Sequence, residues 1–443
     1  MEEVTMKLRS YTLALSIVAC SLTHAQIPTA NIRWLGVLPG GTFSKANAVS
    51  NNGRVVGYGD TSPVVPPKWC QPQDERERIG LHAFYWNGTS LININPAGPD
   101  SAYGSIANDI TGDGLLIVGS AGTVVCNGYI QDFGYAHAWV LNTSGIQANR
   151  LDTNWSVANS VSYLPYNSAP NGRRIVGTRG VVHSGVNRGR PGYYDLNSGF
   201  YPLPLLPRPD GGEWNWGSAN GVSGDGAVAV GVSHYVDDEV YLWYLTRPTC
   251  WKEGNIYMLE GGLSEIPLAA SGNGSVIAGS GGEGPVIWLG CPGQRIVLQR
   301  GLGAARDIDA RGRVVVGNLN GRAYRWIAGA IGMGEDLNTT FSYLLRDGSV
   351  LYEARGISPN GRFIVGVGWN SATGRAEAYL LDTGLVVIPA DVNLDGCVDD
   401  GDLISVLYAL GDSGWLREDV NADFIVDDDD LLEVITSLGA CGE

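Results

Sequence analysis

The chain is predicted to be all-β over most of its length, with residues 31–389 forming a seven-bladed β-propeller and residues 391–443 a small all-α module. Three observations carry this. A phrase built on Ala, Ser and Gly recurs seven times, each copy is followed by a β-run with one large aromatic, and the last 53 residues repeat one acidic loop-and-helix pattern at a spacing of 28.

The recurring phrase is Ala-x-x-(Val/Ile)-Ser-x-x-Gly-x-x-(Val/Ile)-x-Gly, first seen from Ala46 to Gly57 and last from Ala354 to Gly366. Its turn glycines are Gly53, Gly114, Gly172, Gly226, Gly274, Gly312 and Gly361, separated by 61, 58, 54, 48, 38 and 49 residues. Units of that size hold four short strands each and mark a repeat architecture. The Asn/Asp-Gly step inside the phrase is a hairpin signal, because both residues tolerate positive φ, and β-branched residues flank it.

The third strand of each unit carries an aromatic: Trp86, Trp139, Tyr194, Trp243, Trp288, Trp326 and Tyr379. Fourth strands are expected at Leu91–Ile94, Phe200–Leu203, Ile256–Leu259, Arg295–Leu298 and Leu385–Ile388. Four-stranded units with one aromatic each favour radial packing around an axis over a β-helix, whose coils are much shorter. The run Ile32–Leu38 is then surplus and reads as a latch closing the ring.

The first units contain Trp34-Leu-Gly-Val-Leu-Pro-Gly-Gly41, a Ser-Asn-Asn-Gly turn and His82-Ala83-Phe84, with His137-Ala138-Trp139 as a second near match. These residues resemble the HAF repeats of bacterial extracellular proteins over roughly the first 110 residues and only loosely beyond. The resemblance implies export and a repeat scaffold. It implies no activity.

In the C-terminal segment the first loop reads Asp391, Asn393, Asp395, Cys397, Asp399 and Asp402 at positions 1, 3, 5, 7, 9 and 12; the second reads Asp419, Asn421, Asp423, Ile425, Asp427 and Asp430. Calcium takes six to eight hard oxygens, and this spacing offers side-chain oxygens plus the position 7 carbonyl. Val398 and Val426 at position 8 are expected to pair the two loops. Helix-period stripes follow, ending at Gly411 and Gly439. A loop then a helix, twice, resembles the dockerin domain over residues 391–438, which implies bound calcium and a protein partner of the cohesin kind. Two departures stand out. Phe424 occupies the turn position where Gly396 sits in the first loop, so the second site is expected to be strained and weaker. Asp400-Gly401 and Asp428-Asp429 replace the small hydroxyl pair that dockerins often present to cohesins.

Residues 391–443 hold 15 of the 45 acids and one of the 29 bases, a net of −14, which leaves the body at −2. A near-neutral body lacks the basic footprint of nucleic-acid binding. At the N-terminus Lys7 and Arg9, the apolar run Tyr11–Leu22 and Thr23-His24-Ala25 have the layout of a secretory signal over residues 1–25, too short to span a bilayer. Ile17-Val-Ala-Cys20 offers an alternative, a lipobox that makes the chain a lipoprotein anchored through Cys20. Either places it outside the cell or at its surface.

Cleavage after Ala25 leaves six cysteines, an even set that reads as disulfides. On the repeat, Cys70 and Cys126 fall between second and third strands of units one and two. Cys250 and Cys291 fall between third and fourth strands of units four and five. Cys397 and Cys441 remain for the tail.

A nucleophile elbow, a Walker loop, a dinucleotide fingerprint and an HExxH helix are absent from the sequence. His82 and His137 read as structural, and His183 and His234 have no carboxylate at metal spacing. Asp109, Asp307, Asp309 and Glu353 at strand ends are candidate acids for glycoside cleavage, and Glu213-Trp214-Asn-Trp216 with Tyr163–Tyr166 a sugar-stacking platform. The function expected is that of a secreted, calcium-binding, non-enzymatic scaffold for recognition or display, assembled through its C-terminal module, with a glycan as a second class of ligand. The alternatives are a polysaccharide lyase or glycosidase on the propeller and a structural cell-envelope protein.

Overall fold

The computed structural model describes residues 30–61, 80–97, 104–122, 124–126, 129–131, 134–152, 156–162, 173–183, 186–195, 199–207, 216–235, 245–263, 265–385, 388 and 390–441. Among them the strands form seven four-stranded antiparallel sheets, one per sequence unit, and a two-stranded ribbon of Val124–Cys126 with Tyr129–Gln131. The first runs Ser44–Val49, Val55–Asp60, Leu81–Trp86 and Leu91–Asn93, each strand beside its predecessor. This is a seven-bladed β-propeller.

The repeated phrase is the inner hairpin of each blade. Its opening Ala pairs with its closing Gly, as Ala46 with Gly57 and Ala354 with Gly366. The approach is close enough that a Cβ on Gly57 would lie 2.0 Å from the Lys45 carbonyl oxygen. The turn glycine is left-handed, with φ +71° at Gly53. The Ser closes the turn, Ser223 Oγ accepting from Val228 N at 2.9 Å and Ser271 Oγ from Val276 N at 3.0 Å. In the sixth blade Asp309 replaces it and accepts from Arg313 N and Val314 N at 2.8 Å each.

The aromatics pack between blades. Trp139, Trp288, Trp326, Tyr194 and Tyr379 are among the largest fully buried side chains, and Trp86 is 7% exposed. The fourth blade uses Trp251 at 0% exposure instead of the expected Trp243, which lies outside the described residues. Trp251 stands opposite Ala229, the register in which Trp139 faces Ile117 and Trp288 faces Ile277. The indoles also tie neighbours together. Trp139 Nε1 donates to Ile94 O at 2.8 Å, Trp251 Nε1 to Pro204 O at 2.8 Å and Trp288 Nε1 to Glu260 O at 2.6 Å, each acceptor lying just past the outer strand of the preceding blade.

The ring closes through its N-terminal strand. Asn31–Gly36 pairs antiparallel with Arg375–Asp382, Asn31 opposite Asp382 and Trp34 opposite Tyr379, completing the sheet of Val350–Ile357 and Phe363–Asn370. The expectation of a fourth strand at Leu385–Ile388 with a surplus latch is therefore corrected: the latch is the fourth strand. The run near Leu385 has strand-like composition, but the edge it would pair with is occupied, and Ile388 instead packs beside Ala390 in the C-terminal core. A four-residue helix, α1 (Leu337–Thr340), leads out of the short outer strand of blade six.

The C-terminal segment holds two helices, α2 (Asp400–Ala409) and α3 (Asp428–Ser437), around a core of Val392, Val398, Val406, Val420, Val426 and Val434. Both helices begin inside the acidic loops, each capped by a reciprocal box, Asp399 with Asp402 and Asp427 with Asp430. Val398 and Val426 do not pair with each other. Val398 N donates to Ala440 O at 2.8 Å and Val426 N to Asp412 O at 2.9 Å, so each loop pairs with the chain leaving the opposite helix. Burying both valines in one core satisfies their backbone groups in this crossed fashion.

This segment is docked on blade six. Trp415, between the two loops, is 4% exposed and packs with Trp326, Ala328 and Ala305. Its Nε1 donates to Gly312 O at 2.6 Å, its carbonyl accepts from Gly329 N at 2.8 Å, and Arg313 donates to Asp419 O at 3.1 Å. Disulfides join Cys250 to Cys291, across blades four and five, and Cys397 to Cys441. Cys250 lies within the third strand Leu245–Lys252 rather than after it. Cys70, and with it the expected Cys70–Cys126 pairing, lies outside the described residues, as do residues 1–25 with Cys20.

Candidate functional site

Seven identical irregularities build the central channel. In every inner strand the residue after the phrase's opening position is bulged out of register: Asn47, Asn108, Asn159, Asn220, Leu268, Arg306 and Arg355. A bulge re-aims a side chain and often stands beside a functional site. All seven bulged residues line one cavity of about 280 Å³.

The ring is chemically lopsided. On blades one to four the asparagines form a ladder, Asn47 Nδ2 donating to Ala107 O at 2.8 Å, Asn108 to Ala158 O at 2.9 Å, Asn159 to Ala219 O at 2.7 Å and Asn220 to Pro267 O at 2.9 Å. Leu268 interrupts it, and two arginines follow. Arg306 and Arg355 approach Glu353 Oε1 at 2.9 and 3.1 Å, Lys45 Nζ approaches Glu353 Oε2 at 2.8 Å, and Arg355 Nε donates to Asn47 Oδ1 at 3.0 Å. Burial pushes the Glu353 carboxyl up, but the charges of Arg355, Arg306 and Lys45 outweigh it and hold the group at about 2. Burial lowers the pKa of Lys45 and of Arg306. Three cations share one carboxylate.

The candidate acids separate into distinct roles. Asp109 and Asp307 reach the cavity, yet each serves as a strap to the next blade: Asp109 Oδ2 accepts from Val161 N at 2.9 Å and Asp307 Oδ2 from Ile357 N at 2.8 Å. Burial raises both carboxyls, that of Asp307 to about 8, with Asp109 and Asp309 adding to the shift. Asp309 closes a hairpin turn and Glu353 is held ionised among three cations, so of the four acids only Asp109 and Asp307 share the cavity.

His82 lies beside Asn93 at 2.8 Å and its pKa is lowered by burial; His137 is 2% exposed with Nδ1 2.8 Å from Tyr135 O. His234 stacks on Trp216 at 3.5 Å and is held at about 4 by burial. Of the expected stacking platform only Trp216 is described, and that contact covers one of its faces.

The two acidic loops match hydrogen bond for hydrogen bond. Asp391 accepts from Asp395 N and Gly396 N at 3.1 and 2.9 Å, Asp419 from Asp423 N and Phe424 N at 3.1 and 2.9 Å. Asp402 accepts from Val392 N, Asn393 N and Asp399 N, and Asp430 from Val420 N, Asn421 N and Asp427 N. Asp391, Asp402, Asp419 and Asp430 are all buried, and Asp391 and Asp419 are raised to about 6, by burial first and by neighbouring loop carboxylates. Asn393, Asn421 and the Cys397 and Ile425 main chains share these loops; among the described residues no three acidic, His or Cys side chains stand close enough as they are to hold a metal. Phe424 adopts φ +74° where Gly396 has +100°, and it packs on the Trp415 cluster of blade six.

The sequence carries a signal for the channel ring beyond the hairpin phrase itself. Asn recurs directly after the opening Ala in four units and Arg in two, a period visible without any coordinates.

No family model and no curated protein matches the chain. Among solved structures it is similar to a chain of a mitotic checkpoint complex (8% identity, 84% of this chain and 98% of that chain, TM-score 0.44). A puromycin hydrolase matches at 14% identity (79% of this chain, 56% of that chain, TM-score 0.42). The β-propeller domain of the Trilobed protease from Pyrococcus furiosus matches at 12% identity (77% and 93%, TM-score 0.41). Among the described residues no helix is long and apolar enough to cross a membrane.

Proposed function

We propose that the chain is a secreted scaffold whose C-terminal module binds calcium and docks to a protein partner, leaving the propeller to display or recognise. The observation that carries this reading is the exposed apolar surface repeated on the two helices at the spacing of the loops. Ile404, Leu407 and Leu410 on or beside α2 are 49, 47 and 41% exposed, and Leu432, Ile435 and Leu438 on or beside α3 are 57, 47 and 44% exposed. Tyr408 adds 88%. Exposed apolar side chains in such number favour an interaction site. Acidic Asp400, Asp428 and Asp429 at the helix starts favour a partner with a basic border.

The loops fit a hard divalent cation in donor type, since each offers four carboxylates, an amide and a main-chain carbonyl and holds two of its acids buried. A bound cation would neutralise carboxylates that now raise one another. The two disulfides support an oxidising compartment. Asp109 and Asp307, two of the candidate acids of the glycosidase alternative, each spend an oxygen on a strap to the next blade.

The test is calorimetric titration of the full chain with calcium. Two binding events are expected, one lost in Asp402→Ala and the other in Asp430→Ala. A wild-type chain that takes up no calcium would overturn the reading.

A further inference from the structure

The channel cavity has a charge and hydrogen-bonding pattern that the C-terminal reading does not use. On one side Arg306 and Arg355 line it, backed by Lys45 and by Glu353, which pairs with all three cations; Asp109 and Asp307 line it too. Arg306 Nε is buried and has no hydrogen-bond partner. A buried guanidinium N–H without an acceptor is costly, and it leaves this arginine with donor capacity beyond its pairing with Glu353. Burial raises the carboxyls of Asp307, to about 8, and of Asp109, which favours the neutral form of both lining acids.

On the opposite side Asn108 and Asn159 spend their amide N–H groups on the next blade, which leaves their Oδ1 atoms as acceptors for a ligand. Leu268 and Ala269 supply an apolar patch between the two. The combination is a carboxylate clamp, two acceptors for hydroxyls and a surface for C–H groups. At about 280 Å³ the cavity lies just below the usual range of small-molecule sites, the size for one sugar unit rather than a chain of them.

We propose that this cavity binds a small hydroxy-carboxylate of the hexuronate class, its carboxylate on Arg306 and Arg355 and its hydroxyls on Asn108 and Asn159. The site stands apart from the calcium loops, so either proposal can fail without the other.

The experiment is calorimetry of the full chain with sodium glucuronate, glucose and sodium acetate at matched, low ionic strength. Saturable binding of glucuronate is expected, with glucose and acetate each at least about tenfold weaker, because each lacks one half of the recognition. Arg306→Gln should weaken glucuronate about 10- to 100-fold, the loss of one charge-assisted contact. Asn159→Leu, away from the charge cluster, should weaken glucuronate while leaving acetate unchanged, and serves if the arginine variant does not fold. No saturable uptake of glucuronate, acetate binding as tight as glucuronate, or unchanged affinity in a folded Arg306→Gln chain would each overturn the proposal.

Discussion

Replacing Trp415 by Ala tests how firmly the C-terminal module is held on the propeller. The indole is buried to 4% exposure among Trp326, Ala328 and Ala305, and its Nε1 donates to Gly312 O at 2.6 Å. Truncating a core Trp costs about 3–5 kcal/mol. Residues 391–443 contain a single basic residue, Arg417, two positions from this anchor, so trypsin can cut the module in one place only. Cleavage of a transiently opened state follows its equilibrium population, and that cost translates into roughly two to four orders of magnitude in rate. The assay is timed trypsin digestion of full-length wild type and variant, with mass spectrometry after reduction, because the Cys397–Cys441 bridge holds the released piece in place. Trp415→Phe keeps most of the ring and loses the hydrogen bond, about 1 kcal/mol, for roughly a fivefold acceleration. A Trp415→Ala chain cut at Arg417 no faster than wild type would refute the docking argument.

Deleting residues 31–38 should destabilise the whole ring in thermal unfolding, since it exposes the Arg375–Asp382 edge and removes Leu35 and Leu38, 5 and 0% exposed; a small shift with retained cooperativity would count against closure. Glu353 has a folded pKa below its ordinary 4.5, so its contribution of about 3 kcal/mol is present above that value and lost as pH falls towards about 2; denaturant titrations should show this step in wild type and not in Glu353→Gln. Nonreducing peptide mapping should pair Cys250 with Cys291, and the double Ser variant should lose about 2–4 kcal/mol. Phe424→Gly relieves a left-handed strain of about 1–2 kcal/mol but removes an aromatic contact with blade six, so Arg417 cleavage should accelerate in that variant.

The blade count was legible because each unit carries its own hairpin chemistry. Gly53 and its equivalents among the described residues adopt a left-handed turn, and Gly57 and its equivalents face a backbone too near for a Cβ. Such constraints are local and leave a mark in one chain segment. Trp251 was missed for Trp243 because both sit in the same aromatic stretch and only the cross-strand register with Ala229 chooses between them. The last outer strand was misplaced for a related reason, since strand composition near Leu385 says nothing about an edge already filled from the other end of the chain. The charge cluster was the least visible part of the site. Lys45, Arg306 and Glu353 come from blades one, six and seven, and no spacing in the sequence joins them.

Closure by the N-terminal strand also sets a timetable. Ser44 Oγ bonds Ala378 N across 334 residues of chain, and the first strand has no partner until Arg375–Asp382 exists. At ordinary synthesis rates of about 5–20 residues per second, that wait is roughly 20 to 70 s. During that time six blades can form in order while the opening strand stays unpaired. The ring thus reaches its final cooperativity only after the last hairpin is made, and a nascent chain halted before that point carries an unmatched strand at its start, prone to pairing with a neighbour.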